Sequence, residues 1–129
     1  MLTSKINEDE VDYNVSESFS RDIYDNEIKI INVNILYNGE EVGYLMFSVD
    51  ENNQKLFIEN IEVWEVYRNQ GIGQLLYKKF GELYRNNYNG WIVEREFQNP
   101  IAEQAFMKAI EKGWVPQEAF NEQTTKRTY

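Results

Sequence analysis

From Val11 onward, apolar side chains fall on one parity, with Val11, Tyr13, Val15 and Phe19 separated by polar residues. That is the period of a strand with one buried face. IKIINVNILY, Ile28 to Tyr37, is dense in β-branched residues, and Asn38-Gly39 after it is the strongest short hairpin signal in the chain. The return run EVGYLMFSVD, a turn in DENNQ and the run KLFIENIEVW from Lys55 to Trp64 complete an antiparallel meander. The period then changes: Ile72, Leu75, Leu76, Phe80 and Leu83 recur at helical spacing and predict an amphipathic helix from Gly71 to about Asn86. NNYNG interrupts it, WIVEREF reads as another strand, and Asn99-Pro100 sets a capping residue before a proline at the first helical position. Ile101, Ala105, Phe106, Ala109 and Ile110 carry the second helix to Gly113, and a short strand is expected within Thr124–Tyr129. The pattern predicts one α+β domain over residues 1–129: a central mixed, mostly antiparallel sheet flanked by helices. Its strand–helix–strand crossover makes two strands parallel neighbours. The ten polar leading residues are expected to be loose.

Composition narrows the chemistry more than the fold. The 129 residues include no cysteine and no histidine, which removes disulfides, thiolate nucleophiles, imidazole bases and the usual zinc sites. Acid–base work falls to carboxylates, tyrosines, lysines or the backbone. A net charge of −9 argues against a nucleic-acid partner. No apolar run approaches the ~18 residues a membrane span needs, and MLTSKINEDE lacks the design of a secretion signal, so a cytoplasmic location is expected. The charge is uneven. Residues 1–27 hold eight acids against Lys5 and Arg21, whereas residues 68–90 hold Arg68, Lys78, Lys79 and Arg85 against Glu82 alone. The basic segment is thus where an anion would be met.

That segment begins with YRNQGIG, Tyr67 to Gly73, between the end of a strand and the start of a helix. A helix start has unpaired N–H groups and the positive end of its dipole, and glycines there let an anion approach the main chain. Arg68 adds a formal charge. Gly71 and Gly73 also suit a tight strand-to-helix turn with no ligand at all, and neither the G-x-G-x-x-G nor the G-K-[ST] phosphate motif is present.

In its setting, IENIEVWEVYRNQGIGQLLYKKF resembles the acyl-CoA-binding motif of the general N-acetyltransferase superfamily, GNAT, whose Q/R-x-x-G-x-G/A pattern is matched by Arg68, Gly71 and Gly73. NPIAEQAFMKAIEKGW resembles the second motif of that family through Asn99, Ala102 and Gly113-Trp114. The likeness covers residues 28 to 114. It implies that the backbone of Asn69, Gln70, Gly71, Ile72 and Gly73, with Arg68 beside it, holds the pyrophosphate of acetyl-CoA. It also implies that Ile61 and Val63 pair their main chains with the pantetheine arm, that the Val63 amide polarises the thioester carbonyl, and that Asn99 touches the arm as well as capping its helix.

The acceptor implied is an amine, and an amine with a pKa near that of lysine is protonated at pH 7, so a proton acceptor is wanted. Glu94, five residues before Asn99, is the first candidate; Glu62 is the second. Glu59 is the third, since its parity with Phe57, Ile61 and Val63 turns it toward an apolar face. Two departures from the family stand out. The tyrosine that often protonates the leaving thiolate falls, counting from Asn99, at Phe106, and Tyr129 would reach the thiol only if the last strand folds back. The two helices that usually separate the first two strands shrink here to SRDIYDNE, so the N-terminal helical region is shortened and the acceptor groove open and acidic. The expected function is an acetyl-CoA-dependent N-acetyltransferase acting on a primary amine of a cationic small molecule, a lysine side chain or a protein N-terminus. Direct attack in a ternary complex follows from the lack of any cysteine to carry an acyl group. The alternative is a non-catalytic module of the same fold that binds another protein through its acidic surface. An exposed sheet edge would also allow a homodimer.

Overall fold

The computed structural model describes residues 6–121, 123 and 125–129. Four long strands form an antiparallel meander: β1 (Val11–Arg21), β2 (Glu27–Tyr37), β3 (Glu40–Asp50) and β4 (Lys55–Val63). The β2–β3 hairpin closes through Asn38 at φ 51° and Gly39 at φ 82°, the double left-handed pair that matches strand twist. Helix α1 (Ile72–Asn87) leads to β5 (Ile92–Phe97), then helix α2 (Pro100–Glu111) leads to β6 (Lys126–Arg127). The strand order is β1-β2-β3-β4-β5-β6, with β4, β5 and β6 parallel. The expected late strand is therefore present as β6; Thr124, within its predicted span, lies outside the described residues.

Both crossovers step the same way across the sheet, so the right-handed rule puts both helices on one face. The core lies there. Ile31, Val33 and Ile35 of β2, Leu45, Phe47 and Val49 of β3, and Leu56 and Ile58 of β4 are buried against Leu76, Phe80 and Tyr84 of α1. Phe47 and Phe80 meet edge-on, with centroids 5.1 Å apart. Gly81 lets α1 lie hard against the chain after α2: a Cβ there would fall 1.8 Å from the Trp114 carbonyl oxygen. The opposite face, with Asn34, Tyr44, Ser48, Asn60 and Glu62, is only partly buried or exposed, and no helix among the described residues covers it. The short link over residues 22–26 leaves this face bare, as the shortened N-terminal region anticipates.

Ile6 to Glu10, part of the segment expected to be loose, is docked beside the start of α1. The Ile6 N–H donates to the Gln70 carbonyl at 3.2 Å, and Glu8 pairs with Lys78 at 2.6 Å.

Candidate functional site

β4 and β5 pair only where Lys55–Ile58 lie beside Ile92–Arg95. Beyond that point β5 turns to β6 at Glu96 and Phe97, and β4 continues with β3 on one side only. The sheet therefore opens as a V with its vertex at Ile58 and Arg95. Within an antiparallel pair, a residue turns both main-chain groups to the same neighbour and alternate residues turn away. The Trp64 N–H donates to the Val42 carbonyl at 3.0 Å, so Glu62 shares that edge while Ile61 and Val63 face the opening. Arg68 Nε donates to the Val63 carbonyl at 3.0 Å from the far side, in agreement.

The mouth of the V is the start of α1. Glu65–Tyr67 makes a single 3-10 turn, Asn69 takes φ 66°, and Gly71, at φ 89°, is the N-cap with no side chain to satisfy the helix's free N–H groups. The first turn holds no acid. The two glycines have different causes. Gly71 needs its left-handed backbone. Gly73 does not: its φ is ordinary and a Cβ would meet nothing within 4 Å. The fold places no demand for glycine at Gly73. Arg68 is half exposed across the end of β4, 3.9 Å from Glu62. Gln70 is held as part of the turn by its side-chain bond to the Val66 carbonyl at 3.3 Å. Free amides, open space and one cation suit a phosphate group here, with a chain running from it along the β4 edge. These residues fit the pyrophosphate and arm of coenzyme A.

The carboxylate candidates separate. Glu94 lies on the bare face, level with Phe57, and pairs with Lys55 at 3.4 Å. Glu62 is drawn to Arg68 at the mouth. Glu59 does not face the core: a bulge sets Phe47 opposite Ile58 but Met46 opposite Asn60, and the inserted residue accepts from Ser48 Oγ at 2.9 Å in an exposed position. The extra residue resets the alternation, so Leu56 and Ile58 before it and Ile61 and Val63 after it share a face although their parities differ. Asn99 caps α2, its Oδ1 accepting from the Ala102 N–H at 2.8 Å. Phe106 is wholly buried among Tyr77, Phe97 and Phe120. The Tyr129 hydroxyl donates to Glu103.

A cavity of about 590 Å³ opens at the far end of β4 from the α1 start, where the β1–β2 and β3–β4 turns meet. Asp22, Glu27, Asp50, Glu51 and Glu94 line it against Lys29 and Lys55. Five carboxylates to two ammonium groups make it a basin for cations.

Two groups that the sequence reading gave no role meet on the helix side of the vertex. Arg95 is 4% exposed; its Nε has no hydrogen-bond partner among the described residues, and its guanidinium lies over the Phe97 ring at 5.2 Å and the Tyr77 ring at 6.0 Å. The Tyr77 hydroxyl is buried without a partner, and its pKa is raised by that burial, partly opposed by Arg95. The signal for Arg95 was available: in WIVEREF it occupies the parity of Val93 and Phe97, where a charge is out of place.

The acetyltransferase (GNAT) family model matches residues 3–109. The chain belongs to this GNAT family. Among solved structures, the GNAT fold recurs in an aminoglycoside acetyltransferase from an uncultured soil metagenomic sample. The TM-score is 0.52 at 24% identity, over 65% of this chain and 58% of that one. A tandem GNAT protein from the clavulanic acid biosynthesis pathway follows, with TM-score 0.51, 16% identity and coverage of 64% and 28%. Nourseothricin acetyltransferase gives TM-score 0.50, 15% identity and coverage of 78% and 82%. The chain thus spans 58% and 28% of the first two neighbours. Comparison with curated protein sequences gives no match. The family rests on the matched model, and the solved neighbours show that the fold is shared.

Proposed function

We propose that the chain transfers an acetyl group from acetyl-CoA to the primary amine of a cationic acceptor. The observation that carries this reading is the start of α1, uncapped and with Gly73 facing empty space, beside the open edge of β4. Backbone amides of Asn69 to Gly73 and the Arg68 guanidinium hold the pyrophosphate; Ile61 and Val63 hold the amides of the arm, a strand addition. Bound there, acetyl-CoA supplies an activated thioester.

Val63 and Glu94 cannot both touch the reacting carbonyl. Phe57, level with Glu94, pairs with Ser48 and Val63 with Gly43, which sets them about 17 Å apart at strand rise once the bulge is discounted. We therefore give Val63 the arm, and assign the reacting end to the vertex near the bulge. Glu94 is then the base, drawing a proton from an amine that enters from the bare face through the acidic cavity. Glu62, beside Arg68, positions that cation. A second reading, a module that binds coenzyme A without turnover, rests on the burial of Phe106 in the core, which supplies no proton donor.

Calorimetric titration with acetyl-CoA, followed by assays with polyamines and basic peptides, tests both. Micromolar binding with turnover supports the enzyme; binding without turnover selects the second reading. Glu94→Gln is expected to lower the rate ~10²-fold or more while leaving acetyl-CoA affinity unchanged. Unchanged turnover would remove Glu94 from the chemistry.

A further inference from the structure

The two edges of the sheet are finished differently. β6 is an edge of two residues, Lys126 and Arg127, both cationic, the short and charged form that discourages further pairing. β1, the other edge, runs from Val11 to Arg21 in unbroken register with β2 and contains no bulge, proline or lysine. A long, flat and unguarded edge is a template for another strand. Its free groups can be assigned. Just past its end, the Asp22 N–H donates to the Asn26 carbonyl at 3.0 Å, so even-numbered residues bond to β2 and odd-numbered ones turn outward. Only the Val11 N–H among these is taken locally, by the Glu8 carbonyl. Beside the free edge, Phe19 is 61% exposed.

We propose that β1 pairs antiparallel with β1 of a second copy of this chain, about a two-fold axis at Ser16. Such an axis is normal to the joined sheet and sets outward residues on outward residues. Centred on Ser16, the register uses the whole strand and makes about ten main-chain hydrogen bonds. Phe19 then lies opposite Tyr13 of the second copy, an aromatic cross-strand pair that covers the exposed ring. Arg21, the one cation of β1, lies opposite Val11 of the second copy and between its Glu10 and Asp12. Glu17 faces Val15, and its own Lys29 holds it at 3.3 Å. Centring on Glu17 would instead oppose two like charges, and centring on Val15 would carry Arg21 past the end of the partner strand. The assembly closes at two copies, because the edges left over are the short cationic β6 strands. Phe19 and Asp22 also line the acidic cavity, so each cavity opens at the seam.

The chain has no cysteine, so a single introduced one reports the register. Ser16 meets its own copy as a non-hydrogen-bonded pair with Cα atoms about 4.5 Å apart, within the span of a disulfide. Ser18 and its copy are offset by four residues, about 14 Å. Under mild oxidation, Ser16→Cys is expected to form a disulfide dimer at least ~10-fold faster than Ser18→Cys. Light scattering of the unaltered chain at ~100 µM should give twice the chain mass. Glu17→Pro removes one outward N–H and no bond to β2, and should give the single mass with unchanged circular dichroism. A single mass for the unaltered chain overturns the dimer and leaves β1 to a strand of another protein. Equal cross-linking at the two serines, or a dimer that survives in folded Glu17→Pro, overturns this seam. Should Glu17→Pro lose its fold, the two cysteine variants decide.

Discussion

At the start of α2, Asn99 accepts from the Ala102 N–H, Pro100 removes an N–H that would otherwise be free, and Glu103 sets a negative charge in the first turn. At the start of α1 none of these is present: the cap is Gly71, no side chain bonds to the helix, and the first turn holds no acid. Both helices follow a parallel strand and cover the same face of the sheet, so topology does not explain the contrast. A helix start is a positive pole with unpaired donors, and it must be satisfied by something. In α2 the chain does this itself. In α1 the donors are left to water or to a ligand, and Gly73 keeps the approach clear. One strand–helix junction is closed by its own side chains, and the other is left open.

The sharpest way to break this contrast is to close α1. Gly73→Glu inserts a side chain into the empty space and a negative charge at the pyrophosphate position. Calorimetry should find acetyl-CoA affinity reduced at least ~100-fold, while thermal melting holds or gains about 0.5–1 kcal/mol because glycine is a poor helix residue. Unchanged affinity would make the open start incidental. The converse change, Asn99→Ala, opens α2. It should lower stability by about 1 kcal/mol and leave acetyl-CoA affinity where it was; weaker binding would instead put Asn99 on the pantetheine arm.

The smallest effect concerns the charge at the α2 start. Hydrogen bonds from Arg127 and then Tyr129 hold the Glu103 carboxyl at about 2, down from 4.5. A depressed carboxyl stabilises the fold fully above its unfolded value and loses that contribution as pH falls through the folded one. Docking of the C-terminal segment should therefore weaken between about pH 4.5 and 2. The Thr128 amide, which donates to the Phe97 carbonyl at 2.9 Å, would report the release in NMR spectra. A Thr128 signal unchanged down to pH 2 would separate the tail from the state of Glu103.

The sequence by itself determined the elements and their order. Those depend on neighbours in the chain: alternation sets the strands, Asn38-Gly39 the hairpin, and the helical period α1, while R-x-x-G-x-G marks the glycine-capped turn that opens α1. Only tertiary structure decided which face each group meets, because facing depends on cross-strand register. One residue inserted opposite Met46 and Phe47 turned Glu59 out to Ser48, against its parity. Register with β4 also set Glu94 on the bare face and Arg95 on the buried one, though the two are adjacent in sequence. The stacking of Arg95 over the Tyr77 ring was out of reach for the same reason: strand and helix are eighteen residues apart there, and only the crossover brings them together.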